Sequence, residues 1–193
     1  MRIAFLSLVV LVSSLLLACQ TTVPGYPQQA GFLPADEDFA ASGIESHLGN
    51  ASPEEVSHWF GDDFASLPAL GVVLVLMTNS GHEDPVLMDR HLVSLNLSDG
   101  SQIKPLFTSD MTAWLREIAG LTAEDPFKKW PAASREEYEK GMTKIEKGQR
   151  KGDILVFRLP RGTSSGSFLV EYTLDLGSDG QKTVKQHIPL NLR

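Results

Sequence analysis

Leu70-Gly71-Val72-Val73-Leu74-Val75-Leu76-Met77-Thr78-Asn79 is the stretch that decides the fold. It is a nearly continuous apolar run rich in β-branched side chains. Such a run predicts a central strand buried on both faces, and Asn79-Ser80-Gly81 closes it. Towards the C-terminus, residues 92–98 alternate. Val93, Leu95 and Leu97 fall on one side, and Ser94, Asn96 and Ser98 on the other. Asp99-Gly100 is a hairpin turn, residues 102–107 form the return strand, and Pro105 places that strand near an edge. Residues 153–159, 167–176 and 182–190 make three closing strands. The last two form a hairpin around Ser178-Asp179-Gly180, with Phe168, Val170, Tyr172, Leu174 and Leu176 on one face.

Helical signals flank and interrupt these strands. Ser52-Pro53-Glu54-Glu55 combines a capping serine, a proline at the first helical position and acids in the first turn. The helix runs to about Phe60, with Val56 and Phe60 on one face and Trp59 beside them. Over residues 109–147 the pattern changes to helical period. Ser109 caps a helix to Ala119 that Gly120 ends. Ser134-Arg135-Glu136-Glu137 matches a capping box, and Tyr138, Met142 and Ile145 follow at helical spacing until Gly148. Strands joined by tight turns, without repeated helix crossovers, predict a mainly β domain: an antiparallel β-sandwich over residues 54–193 with a helical insert at about 109–147.

The N-terminus addresses the chain. Met1-Arg2 is a minimal positive region, and residues 3–17 are apolar but for Ser7, Ser13 and Ser14. That is shorter than the roughly 20 residues needed to span a bilayer, so residues 1–18 read as a signal peptide. The segment ends in Leu16-Leu17-Ala18-Cys19, and Cys19 is the only cysteine. One cysteine excludes an internal disulfide and a multi-cysteine zinc site. Residues 19–53 are rich in proline, glycine and glutamine and lack periodicity. They read as a flexible tether with a reach of roughly 30 Å, in which Phe32, Leu33, Phe39 and Ile44 are able to pack on the domain as an edge segment.

Leu16-Leu17-Ala18-Cys19 resembles the lipobox of bacterial lipoproteins. The resemblance implies that Cys19 carries a diacylglyceryl group on its thiol and an acyl chain on its freed amine. At about 0.8 kcal/mol per buried methylene, two or three chains make a stable anchor. Gln20, in place of an aspartate, implies export to the outer membrane of a Gram-negative cell. The strand pattern is similar to that of immunoglobulin-like domains on bacterial envelope lipoproteins, although the tryptophan and cysteine pair of antibody domains is missing.

Charge narrows the function. The formal net charge is −7, and removal of residues 1–18 with Arg2 makes it −8. A chain this acidic is not a general nucleic-acid binder. Residues 128–151 nevertheless hold eight basic and four acidic residues, a net of +4 against −12 for the rest of the mature chain. Trp114, Lys128, Lys129 and Trp130 are therefore the candidate partner-binding residues, facing an envelope protein or an anionic surface. Catalytic motifs are poorer. Gly162-Thr163-Ser164-Ser165-Gly166 matches the serine elbow of hydrolases, with Asp175 or Asp179 and His187 downstream, but no helix is expected after it. Ser101 and Lys104 match S-x-x-K, yet in a strand residues three apart lie on opposite faces. His82-Glu83-Asp84 is the densest cluster around a histidine and reads as a solvated turn. The expectation is a non-enzymatic, lipid-anchored envelope domain that binds a partner or supports an assembly, with no metal and no cofactor. The alternative is an envelope serine hydrolase using Ser164 and His187.

Overall fold

The computed structural model of the chain describes residues 33–34, 43–120 and 123–190. Residues 1–18 and Cys19 lie outside them. In chain order the strands are β1 (Leu33–Pro34), β2 (Ile44–Asn50), β3 (Leu70–Asn79), β4 (Val86–Asp89), β5 (Ser94–Asn96) and β6 (Gln102–Ile103). They continue with β7 (Met142–Ile145), β8 (Arg150–Arg158), β9 (Gly166–Asp175) and β10 (Gln181–Leu190). The helices are α1 (Pro53–Phe60), the single turn α2 (Asp62–Ala65), α3 (Thr108–Ala119) and α4 (Ala132–Lys140).

The fold is mainly β, and every strand pairing is antiparallel. One sheet has the order β1-β2-β3-β8. The other is built around β9, which has β10 on one edge. Its second edge is shared by β4, which meets Leu174 and Asp175, and β5, which meets Leu169 to Glu171. A 3-10 turn, Arg90–Leu92, separates these two short strands.

β3 explains its own composition. Val73, Val75 and Met77 join Leu155 and Phe157 of β8 and Val170, Tyr172 and Leu174 of β9 in one core between the sheets. The intervening Val72, Leu74 and Leu76 join Ile154 and Val156 in a second core under the helices. A strand covered on both faces has no reason to alternate. β9 shows the opposite case: Phe168, Val170, Tyr172 and Leu174 are buried, while the residues between them are only partly so.

The second core is largely aromatic. Trp59 and Phe60 of α1, Phe64, Trp114 of α3, Phe127, Trp130 and Tyr138 of α4 are all buried there. Phe60 stacks on Trp130 at 5.4 Å, and Trp130 meets Tyr138 edge-on at 5.5 Å. The Trp130 indole N–H donates to the Trp59 carbonyl at 2.8 Å, which satisfies the one polar group such a ring must bury. α1 enters this layer through the expected capping box. The Glu55 N–H donates to Ser52 Oγ at 3.2 Å, and the Ser52 N–H donates to Glu55 at 2.7 Å.

Four expectations are corrected. The tether does not extend to residue 53, because Ile44–Asn50 is strand β2 with Ile44 and Leu48 buried in the core between the sheets. α3 starts at Thr108, with Phe107 and not Ser109 at its cap, and the Phe107 N–H reaches the Asp110 carboxylate at 3.4 Å. α4 starts at Ala132, so Ser134 lies inside the helix and caps nothing. The helical insert ends at Lys140: Met142–Ile145 is strand β7, with Thr143 and Ile145 buried and Met142 and Lys144 exposed. Gly141 forces that break. It adopts φ 70°, and a side-chain carbon there would come within 2.8 Å of the Phe107 ring and 2.9 Å of the His91 ring. The short strand β4 was not foreseen.

A buried ion pair ties these parts together. Arg90, Thr143 and Asp153 are each 0% exposed. Arg90 Nη2 donates to Asp153 Oδ1 at 2.5 Å, and Nη1 donates to the Tyr138 carbonyl at 2.6 Å. Thr143 Oγ1 donates to Asp153 Oδ2 at 2.6 Å, and the Ile154 N–H donates to Oδ1 at 2.8 Å. The guanidinium lies 4.2 Å from the centre of the Tyr138 ring. Burial, the largest single influence, pulls the Arg90 pKa down, but Asp153, Tyr138 and Glu137 together more than offset it, so the value stands above the ordinary one. Removing one partner strands a buried charge. Asp153→Ala is expected to cost about 3–5 kcal/mol in urea unfolding, with Arg90→Met/Asp153→Leu losing less than either single change. A single-variant loss of only a few tenths would show the pair to be dispensable.

Candidate functional site

The described residues line a cleft of about 420 Å³ at the end of the helical layer. Its walls come from three separated stretches. Asn50, Ala51, Ser52 and Pro53 link β2 to α1, Ala65 and Leu67 end α2, and Leu70, Gly71 and Val72 begin β3, while Val56 and Leu190 close it. None of these residues carries a charge or an aromatic ring. Asn50 is held by a hydrogen bond from its side-chain amide to the Pro189 carbonyl, and Ser52 by the α1 capping box. No sequence motif marks the cleft, because its residues come from the chain reversal between β2 and β3 and from the far end of β10.

The residues singled out in the sequence divide. Trp114 is 3% exposed and Trp130 7% exposed, both within the aromatic core. They are packing residues, so the expected binding face loses its two aromatic members. Lys128 and Lys129 are exposed. Lys128 pairs with Glu124, which raises its pKa through that hydrogen bond. Around them Arg135 meets Asp125 at 2.7 Å, Lys140 meets Glu136 at 2.7 Å, Lys147 meets Glu83, and Lys151 meets Glu137 at 3.3 Å. Three of those acids, Glu83, Glu124 and Asp125, lie outside residues 128–151, so the +4 segment is partly neutralised by its neighbours in space.

Ser164 is exposed in the loop between β8 and β9, and a strand follows it where a serine elbow needs a helix. His187 is exposed on β10 opposite Leu169, whereas Leu190 is the partner of Gly166. Three strand residues, about 10 Å, thus separate His187 from the end of the loop. Ser101 is tied to Asp99, through both its N–H at 2.9 Å and its hydroxyl at 2.6 Å, and Lys104 lies beyond β6. Among the described residues no group of three or more His, Cys, Asp or Glu side chains is arranged to hold a metal ion. No helix among them is long and apolar enough to cross a membrane.

His82-Glu83-Asp84 behaves differently from a solvated turn. His82 is 8% exposed. Its Nδ1 lies 3.0 Å from the Asp84 carbonyl and its Nε2 lies 3.1 Å from Asp179 Oδ2. Asp84 Oδ2 accepts from the Ser178 N–H at 2.9 Å and from the Ser178 hydroxyl at 2.6 Å. Those Ser178 bonds hold the Asp84 carboxyl below the usual range. Gly177 sits so close that a side-chain carbon would come within 2.7 Å of Asp84. The turn after β3 is therefore clasped to the turn between β9 and β10, joining the two sheets at one end. The partners lie nearly 100 residues apart, which hid the contact from sequence reading.

No family model matches the chain, and no curated protein matches it. Among solved structures, the yjhA protein from Bacillus subtilis is 12% identical with a TM-score of 0.36, covering 72% of this chain and 78% of that one. The PmoD soluble domain from Methylocystis sp. is 13% identical with a TM-score of 0.29, covering 84% of this chain and 98% of that one. Both likenesses are weak.

The clasp gives a pH dependence with a defined sign. The hydrogen bond to the Asp84 carbonyl raises the His82 pKa above 6.5, burial opposes it, and the Asp179 carboxylate adds to the rise. A folded value above the unfolded one means that the contribution is complete below the unfolded pKa. It is lost as pH rises through the folded pKa. Melting temperatures of wild type and His82→Gln are expected to differ most at the acid end of about pH 5 to 9 and to converge with rising pH. A gap independent of pH would rule out a charged ring in the clasp.

Proposed function

We propose that the protein is a lipid-anchored lipoprotein of the bacterial envelope whose domain binds a partner and catalyses no reaction. The observation that carries this reading is Leu16-Leu17-Ala18-Cys19, placed directly after an apolar stretch too short to span a bilayer. Acylation of Cys19 would supply the membrane contact, and Gln20 favours the outer membrane as its site. The domain is read as an immunoglobulin-like β-sandwich, a reading supported by two antiparallel sheets that enclose a common core. Such a domain offers rigid surfaces rather than a catalytic set. The partner is an envelope protein or an anionic surface facing Lys128 and Lys129, whose exposure supports this role.

Two experiments test the proposal separately. Labelled palmitate is expected to enter the wild-type chain in bacterial cells and to be absent from Cys19→Ala; equal labelling of both would end the anchor. Reversal of both charges, Lys128→Glu with Lys129→Glu, is expected to leave the melting temperature nearly unchanged, because both side chains are solvent-exposed. The same variant should lose capture of envelope partners in crosslinking pull-downs. An unchanged capture profile from the folded variant would remove this face from consideration.

A further inference from the structure

His82 is held in a way that only one of its protonation states satisfies. Its Nδ1 faces the Asp84 carbonyl oxygen at 3.0 Å and its Nε2 faces Asp179 Oδ2 at 3.1 Å. A carbonyl and an ionised carboxylate accept and cannot donate, so each ring nitrogen needs a proton of its own. A neutral imidazole has one proton and turns a lone pair on the other acceptor. The ring is buried, which leaves little water to repair the loss. The charged groups around it, Asp179 across the clasp and the Asp84 carboxylate beside it, both favour the doubly protonated form. Glu83 is exposed and paired with Lys147 of the β7–β8 turn, and Asp175 is engaged with the Gly177 N–H at 3.0 Å.

The two halves of the clasp differ in anchorage. Asn79, buried at the end of β3, accepts from the His82 N–H at 2.9 Å and is bonded through its own backbone to Gly148 and Gln149. The turn carrying His82 is thus fixed to the first sheet. The 3-10 turn Gly177–Asp179 between β9 and β10 buries no residue. Outside its own hairpin, its hydrogen bonds among the described residues run from Asp179 to His82 and from Ser178 to Asp84.

We propose that this contact is a pH-operated latch: the doubly protonated His82 ring holds the β9–β10 turn against the turn after β3, and loss of one ring proton frees it. Loss from Nε2 releases Asp179 directly. Loss from Nδ1 releases the Asp84 carbonyl, and Asp84 carries the carboxylate that grips Ser178. The latch is therefore closed at the acid end and opens as pH rises. Leu176 is fully buried, so the movement ends there and the sheets stay packed. The device is independent of how the chain is anchored.

The test follows the Ser178 amide by nuclear magnetic resonance in the purified, isotope-labelled full chain from about pH 5.5 to about pH 8.5, with the His82 ring titrated by its own nitrogen shifts. Protection of that amide from hydrogen exchange, corrected for the pH dependence of exchange itself, is expected to fall about tenfold through the His82 titration, the change that loss of one hydrogen bond produces. The amide of Leu174, inside β9, should keep its protection. Asp179 is exposed, so Asp179→Asn is expected to fold, and its side-chain amide donates to a neutral ring where the carboxylate could not. That variant should show no step at Ser178. A Ser178 protection factor that stays level while His82 titrates would overturn the proposal, as would a step of wild-type size in Asp179→Asn.

Discussion

The Arg90–Asp153 bond is the constraint on which the architecture turns. It brings the 3-10 turn between β4 and β5, strand β8, the end of α4 and, through Thr143, strand β7 to one point with no access to water. These pieces belong to both sheets and to the helical layer. Replacing such a pair by well-fitted apolar groups need not destabilise a protein, whereas leaving half of it does. Its structural consequence is register. A carboxylate with two oxygens bonded to three donors, and a guanidinium also bound to the Tyr138 carbonyl, tolerate little displacement of any neighbour.

The same economy of position governs the helical layer. α1, α2, α3, α4 and the segment around Phe127 and Trp130 present aromatic rings to the outer face of the first sheet. Most of the rings meet edge to face, with Phe60 stacked on Trp130, and Arg158 and Arg135 lie over Trp114 and Phe127 at 5.3 Å and 5.8 Å. The basic residues of this layer thus serve the fold as well as the surface. The layer stops short of the start of β3, and the cleft lies at that margin.

Local signals in the sequence were sufficient wherever the determining chemistry was local. β3, the β9–β10 hairpin and the α1 capping box could be read because an apolar run, a period of two or a Ser-Pro-Glu-Glu sequence carries its own cause. Val86–Asp89 and Met142–Ile145 could not. Each is four residues long; each is held as a strand by the other, and Val86–Asp89 also by β9, far along the chain. Tyr138, Met142 and Ile145 imitate helical spacing, and only the crowding of Gly141 by Phe107 and His91 reveals the break. Trp114 and Trp130 looked like binding residues because aromatics beside lysines occur both at interfaces and in amphipathic cores. Burial distinguishes the two, and burial is a property of the whole fold. The cleft and the His82–Asp179 contact were invisible for the same reason: their members share no neighbourhood along the chain.

β3 has a final consequence. Val72 to Met77 is a charge-free, proline-free run of strong β-formers, the composition of segments that stack into intermolecular fibrils. In the folded chain β2 and β8 take its two edges, while the second sheet and the helices take its two faces. Both β8 and most of the covering layers lie C-terminal to it, so the segment emerges from synthesis well before its shields. A protein made this way depends on being kept from self-association until its last strands have arrived.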